Sequence, residues 1–365
     1  MIFFTVTSKK EKTCLPLSGN CYLVTDTEST LRKRMKEDKY YIRSYSKNKP
    51  YSGYYVSTKL WVGDYVNGET FEELGQRATG IERIAVMRAD VDNLGQAFVR
   101  GFENEKNGSK YVTLSRTATF SRKLSMFFKY HINSLLKEGG YSILEEEAQM
   151  EKEDDRRNAL IVYSGGDDIF IVGAWDDIIG FAVDLHDNLM EYSQDTLKIS
   201  AGIGIYPSKY PISIMARETG RLEEAAKSVE GKNAVALFDE KYTFPWEEFI
   251  ENVVEEKLYF IQKYFKVVDE KGKNFLYNLL ELVRKRKEDK INIARFAYLL
   301  GRMEPKVQRG AKKEEIEEKR DLHREFSRKM YEWIRVEKDA KELEMAIYLY
   351  VYTKREKEEH DGVNE

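Results

Sequence analysis

The chain has 365 residues, 42% hydrophobic and 34% charged, so it can bury a sizeable core beneath a charged surface. Its 60 Lys and Arg against 63 Asp and Glu leave a net charge of -3, which excludes a globally basic nucleic-acid coat. The longest apolar run, Met345 to Tyr352, is far short of the roughly 18 residues of a membrane span, and Met1 to Lys10 has no signal layout. Cys14 and Cys21 lack CxxC spacing, and His131, His186, His323 and His360 are scattered, which argues against a zinc enzyme or a triad hydrolase. The expectation is a cytoplasmic, multidomain protein with no membrane partner.

Residues 1–75 read as a β-rich segment. Strands are expected at Ile2 to Thr7, Cys21 to Val24, Tyr40 to Tyr45 and Tyr54 to Trp61, with one helix from Thr27 to Glu37. From 76 to 244 strands and helices alternate. Arg83 to Ala89 reads as a buried strand, and Asp92 to Phe102 and Leu114 to Leu136 read as helices. The charged stretch Glu145 to Arg157 is expected to be an exposed loop. Strands Ala159 to Tyr163 and Ile169 to Val172 flank Ser164-Gly-Gly-Asp-Asp168. Helix Asp176 to Tyr192, strand Leu197 to Ile205, helix Ile212 to Ser228 and strand Ala234 to Phe238 complete the unit.

The order β-α-α-β-β-α-β-α-β predicts an α+β fold: a ferredoxin-like palm in which an antiparallel sheet carries helices on one face. Residues 245–355 read as an all-helical domain, with helices at Glu247 to Tyr264, Asn274 to Arg286, Asn292 to Arg302, Glu314 to Arg335 and Asp339 to Lys354. Residues 356–365 are expected to be a disordered tail.

The sharpest local feature is Tyr163-Ser-Gly-Gly-Asp-Asp168. A Gly-Gly tip permits positive φ angles and lets a phosphate approach closely, although the same residues suit an ordinary solvated turn. Strand Arg83 to Ala89 leads into Asp90-Val-Asp-Asn-Leu-Gly95. In a ferredoxin-like order the first strand lies beside the Gly165-Gly166 hairpin, so Asp90 and the Asp167/Asp168 pair are expected to converge. Those carboxylates with a backbone carbonyl, that of Val91, suit Mg²⁺ or Mn²⁺. Two such ions roughly 4 Å apart are the standard device for attack of a hydroxyl on phosphorus. Lys227 and Gly231-Lys232-Asn233 place two ammonium groups where phosphates could sit, or are ordinary helix C-terminal lysines favoured by the macrodipole.

These motifs in this order resemble the palm (GGDEF-like) domains of nucleotide cyclases and polymerases. Arg88-Ala-Asp-Val-Asp-Asn-Leu-Gly95, Ser115-Arg-Thr-Ala-Thr-Phe-Ser121, Tyr163-Ser-Gly-Gly-Asp-Asp-Ile-Phe170, Ser200-Ala-Gly-Ile203 and Tyr298-Leu-Leu-Gly-Arg-Met-Glu-Pro305 narrow the match. Together they resemble the large signature subunit of type III-A (Csm) CRISPR effector complexes, the Cas-ten family. The resemblance implies synthesis of cyclic oligoadenylate from ATP once target RNA is bound. It implies that Asp90 and Asp167 hold two Mg²⁺ or Mn²⁺ ions, with Asp168 adjacent and also needed. Ser164, Gly165, Gly166 and Asn93 would line the nucleotide, while Lys227 and Lys232 would neutralise triphosphate charge.

The implied partners are ATP, the crRNA-bearing and small subunits of the complex, crRNA and target RNA. An HD nuclease domain, a first palm and a cysteine-rich linker are part of the family pattern but not of this sequence, so the chain looks like the C-terminal half. The N-terminal half would then be a further partner, and single-stranded DNA cleavage would reside there. Relative to diguanylate cyclases, Leu94-Gly95 replaces Phe-Lys, and the spacing from Lys227 to Lys232 is one residue longer. A stand-alone diguanylate-type cyclase and a non-catalytic scaffold are the competing expectations.

Overall fold

The computed structural model describes residues 57–103, 108–150, 156–268, 274–287, 289–305 and 313–355, and before them chiefly 3–8, 14–17, 19–27 and 44–47. Most of the expected helix from Thr27 to Glu37, most of the strand from Tyr40 to Tyr45, the start of the strand from Tyr54 to Trp61 and the tail 356–365 lie outside the described residues. The chain divides into two compact units, Met1–Gly63 and Asp64–Glu365.

In the first unit β1 (Phe3–Thr7) and β2 (Cys14–Pro16) flank β3 (Tyr22–Asp26) in an antiparallel sheet. A parallel pair joins β4 (Ser44–Lys47) to β5 (Ser57–Leu60).

The second unit is built on a six-stranded sheet of β6 (Ile84–Val91), β7 (Ala159–Ser164), β8 (Asp168–Ala174), β9 (Ile199–Tyr206), β10 (Ala234–Leu237) and β11 (Thr243–Pro245). Their spatial order is β11-β10-β9-β6-β8-β7, antiparallel except for β9 with β10. β6 is central, and a strand covered on both faces needs a nearly continuous apolar run, which Ile84 to Ala89 supplies around Arg88. It runs two residues further than expected, so Asp90 and Val91 are ladder residues and not part of the following loop.

Period-2 alternation assigns the two faces. Ala85, Met87, Ala89 and Val91 enter the main core with Phe127, Phe128, Trp175, Ile178 and Phe181. On the opposite face Ile84 and Val86 pack with Leu74, Val172, Tyr206 and Met215. Helix Ile212–Lys227 lies on this second face, so close that a Cβ on Gly202 would meet the backbone N of Glu223 at 2.3 Å. The helices therefore cover both faces of the sheet, not one. Along the second face β6 reads Ile84, Val86, Arg88, Asp90, passing from apolar to charged toward the strand end.

Other departures are local. Residues Leu114 to Glu138 form helix Leu114–Met126, a π turn Phe127–His131 and helix Ile132–Glu138. A short helix, Glu146–Met150, starts the stretch expected to be a loop. Helix Phe71–Gln76, capped by Thr70 accepting from the Glu73 N–H at 3.1 Å, belongs to the second unit, where its Leu74 packs with Ile84, Val86 and Val172.

After a π-helix at Glu248–Leu258 come helices Tyr259–Val267, Asn274–Arg284, Ile291–Gly301, Lys313–Arg335 and Glu337–Lys354. Their apolar faces join the main core, so palm and helical segments share one core. Within it Lys257 is 1% exposed and is paired with Glu342 at 2.7 Å, as a buried ammonium requires. Among the described residues no helix is long and apolar enough to cross a membrane.

Candidate active site

The acidic turn between β7 and β8 sits beside the charged end of β6. Asp90 lies directly across the ladder from Asp168 on one side and Ser200 on the other. The Val91 N–H donates to the Asp167 carbonyl at 3.2 Å, and the Gly165 N–H donates to the Asp168 carbonyl at 2.9 Å. Backbone bonds thus fix the turn against the central strand, and Asp90 meets the adjacent pair Asp167 and Asp168 from a distant stretch of the sequence.

A left-handed backbone is not what these glycines supply. Neither Gly165 nor Gly166 takes a left-handed φ. Gly165 is buried, and a Cβ there would lie 2.4 Å from both Asp168 Oδ1 and the Tyr163 hydroxyl. It makes room for those two polar atoms. The left-handed residues are instead Asn93 and the Gly231-Lys232-Asn233 turn, with φ of 54°, 80°, 54° and 52°.

A pocket of about 440 Å³ opens over the turn, lined by Arg88, Asp90, Tyr163, Asp167, Asp168, Phe170, Glu223 and Lys227 among others. The Lys227 ammonium donates to Asp90 Oδ2 at 2.5 Å and to Glu223 Oε1 at 2.7 Å. Arg88 Nε meets the other Glu223 oxygen at 3.1 Å. The result is a ladder of alternating charge, Arg88–Glu223–Lys227–Asp90, along the second face of the sheet.

Burial first, then the charges of Asp90 and Asp168, hold the Asp167 carboxyl above the ordinary aspartate range, partly offset by Lys227. Burial pulls Lys227 downward, but its hydrogen bonds to Asp90 and Glu223 outweigh this and keep it above the usual lysine range. The charge of Asp168 and the hydrogen bond to it raise the Tyr163 hydroxyl, keeping it a donor.

The other expected residues fall around this pocket. Lys232 Nζ donates to Asn93 Oδ1 at 2.9 Å, so these two pair beside the turn. Asp92, 5% exposed, anchors that turn by accepting from the Asn233 N–H at 3.0 Å and the Ser200 hydroxyl at 2.8 Å. The Ser164 hydroxyl donates to the Phe128 carbonyl, so its side chain is engaged away from the pocket. Val91 turns its side chain into the main core.

Arg88, Tyr163, Glu223, Asp92 and Asn233 escaped the sequence reading as site residues. Signals were present: Arg88 is two residues from Asp90 on the same strand face, and Glu223 is four residues before Lys227 on the same helix face.

Among the described residues no group of three His, Cys, Asp or Glu forms a ready-made metal site. The donor set still fits a hard cation. Asp90, Asp167 and Asp168 are all oxygen donors in one pocket, and the Lys227 ammonium already serves as a counter-cation on Asp90.

Comparison with known proteins agrees with this architecture. Residues 83–236 match the family model of the Cas10/Cmr2 second palm domain, and residues 262–356 match that of the second helical domain of the Cmr2 subunit of the CRISPR RNA silencing complex. The subtype III-A single-strand-specific deoxyribonuclease Cas10/Csm1 of Mycobacterium tuberculosis is 46% identical over 319 residues, covering 87% of this chain and 37% of its own. That of Enterococcus italicus is 39% identical over 361 residues, covering 97% and 42%.

Among solved structures, Csm1 in T. onnurineus has a TM-score of 0.65 at 24% identity, covering 97% of this chain and 48% of its own. A Csm1-Csm4 cassette in complex with cA4 gives 0.65 at 23%, covering 97% and 49%. A Csm1-Csm4 cassette in complex with AMPPNP gives 0.60 at 25%, covering 95% and 48%. The chain thus spans less than half the length of these relatives. A chain this similar over most of its residues, with a second palm and a second helical domain in the same order, belongs to the Cas10/Csm1 family of subtype III-A CRISPR systems.

Proposed function

We propose that this chain carries a nucleotidyl-transfer site that joins ATP into cyclic oligoadenylate within a type III-A effector complex. The observation that carries the reading is the convergence of Asp90, Asp167 and Asp168 beside Lys227 in one open pocket. Complexes of Csm1-Csm4 cassettes with cA4 and AMPPNP support an adenine nucleotide as the occupant.

In the reaction the ribose 3′-oxygen of one ATP bonds to the α-phosphorus of another, and pyrophosphate leaves as the bond to its bridging oxygen breaks. Two Mg²⁺ or Mn²⁺ ions, when bound, would lower the pKa of that hydroxyl and offset charge on the departing pyrophosphate. Asp90 and Asp167 would hold them, with Asp168 beside them and the Val91 carbonyl in reach of the same strand end. Lys227, and Lys232 where it leaves Asn93, would offset triphosphate charge. Gly165 and Gly166 would shape the floor beneath the nucleotide.

Two nucleotides must meet in line, so a second pocket has to face this one. We assign that pocket to another palm, and assembly with the crRNA-bearing and small subunits, crRNA and target RNA to activation. The test is the double variant Asp167→Ala with Asp168→Ala in the assembled complex, supplied with ATP, Mn²⁺ and target RNA. Loss of cyclic oligoadenylate and of pyrophosphate release from a folded complex is expected. Undiminished product would refute the assignment, and cyclic di-GMP formed from GTP would move the chain to the diguanylate class.

A further inference from the structure

The strand leading into the acidic turn carries an irregularity that the reaction scheme does not use. β7 is an edge strand, and its register with β8 slips by one residue: Ile161 pairs with Ile171, but Tyr163 pairs with Phe170 and Ser164 with Ile169. In a regular ladder Tyr163 would sit opposite Ile169 and share the core face with Ile161. The extra residue turns Tyr163 onto the face of Phe170 and Asp168, and turns Ser164 toward the core face, where its hydroxyl meets the Phe128 carbonyl. Bulges beside active sites commonly re-aim a side chain in this way.

The residue after Ser164 completes the arrangement. The space that a Cβ on Gly165 would need is occupied by the Tyr163 hydroxyl and Asp168 Oδ1, each 2.4 Å from the ideal position. The hydroxyl and Asp168 Oδ1 thus flank the same point beside Gly165, close enough for the charge of Asp168 to raise the hydroxyl. Tyr163 is 53% exposed and lines the pocket, so its placement is not a by-product of core packing.

We propose that Tyr163 is a positioning residue for the nucleotidyl-transfer site: the bulge delivers its hydroxyl to one oxygen of Asp168, and Gly165 leaves room for the clasp, so the other oxygen stays turned toward a bound cation. The inference rests on the reading of Asp168 as a cation-facing acid. Pinning one oxygen removes side-chain freedom that a divalent ion would otherwise have to freeze out on binding.

The test is Mn²⁺ binding to the purified chain without nucleotide, followed by electron paramagnetic resonance, alongside binding of ATP and adenosine. Tyr163→Phe deletes the hydroxyl alone and is expected to weaken Mn²⁺ about 3- to 10-fold, as loss of one hydrogen bond of ordinary strength implies, with adenosine binding unchanged. Gly165→Ala keeps the tyrosine but displaces it, and should weaken Mn²⁺ similarly. Unaltered Mn²⁺ binding in both folded variants, when Asp167→Ala with Asp168→Ala abolishes it, overturns the clasp and leaves the site standing. Unaltered binding in the double-aspartate variant overturns the cation reading itself. If Tyr163→Phe matches the parent while Tyr163→Leu weakens ATP and adenosine equally, the ring is a stacking surface for the base and the proposal fails.

Discussion

Replacing Lys227 by Met removes the ammonium while keeping most of the stem, and the consequences are set by the groups it contacts. Asp90 loses its partner at 2.5 Å, whereas Glu223 loses one at 2.7 Å but keeps Arg88 at 3.1 Å. Unit charges about 4 Å apart attract by about 4 kcal/mol at an effective dielectric near 20. Lys227 and Asp90 are each 28% exposed, so water access, desolvation and side-chain ordering reduce the net contribution to about 1–2 kcal/mol. Because the folded lysine titrates above its unfolded value, this contribution is fully present at neutral pH and is lost only in strongly alkaline solution.

The variant should therefore melt a few degrees lower at pH 7 without cation. Freed of the competing ammonium, Asp90 should then take Mn²⁺ more tightly, and a tenfold gain in affinity adds about 1.4 kcal/mol of stabilisation at saturation. ATP should bind less well while adenosine is unaffected, since only the triphosphate loses a charge-assisted contact. Differential scanning calorimetry with and without Mn²⁺ measures the first effect, and equilibrium binding measures the second. An equal Mn²⁺-induced rise in melting temperature in both proteins would show that ammonium and cation do not share Asp90.

Asp167→Asn should raise the melting temperature at neutral pH, because its carboxylate is held above its unfolded pKa by burial and by Asp90 and Asp168. The sign comes from linkage: the folded state binds the proton more readily, so the wild-type penalty is present at neutral pH and fades as pH falls through the folded value. A gain that persists undiminished in acid would contradict this. Gly202→Ala should destabilise by about 1–3 kcal/mol or more, because the new Cβ meets the backbone N of Glu223 at 2.3 Å and the Thr219 carbonyl at 2.6 Å. Thermal denaturation checks the loss, and a neutral result would mean that helix Ile212–Lys227 can lift off the sheet freely.

What could be read in the sequence was whatever a few neighbouring residues encode. The run Ile84 to Ala89 announces a strand buried on both faces, and Ser164-Gly-Gly-Asp-Asp168 between two apolar segments announces a turn. Helical periodicity placed Trp175–Ser193 and Ile212–Lys227 to within a residue or so of their ends. The acids were legible because a ferredoxin-like order puts the first strand beside the hairpin, as the pairing of Asp90 with Asp168 bears out.

Other features depend on register and on which helix covers which face. A one-residue slip in β7 decides that Tyr163 and not Ser164 shares the face of the acids, and no local pattern marks where a slip falls. Glu223 and Arg88 meet only because helix Ile212–Lys227 packs on the second face of the sheet. The glycines are another case: Gly165 is required by the atoms around it and not by its own φ, and those atoms arrive from Tyr163 and Asp168 only after β7 and β8 have paired. Backbone preference and hydrophobic period are local and survive in any window of sequence. Close polar contacts arise from long-range pairing, so only the folded sheet determines them.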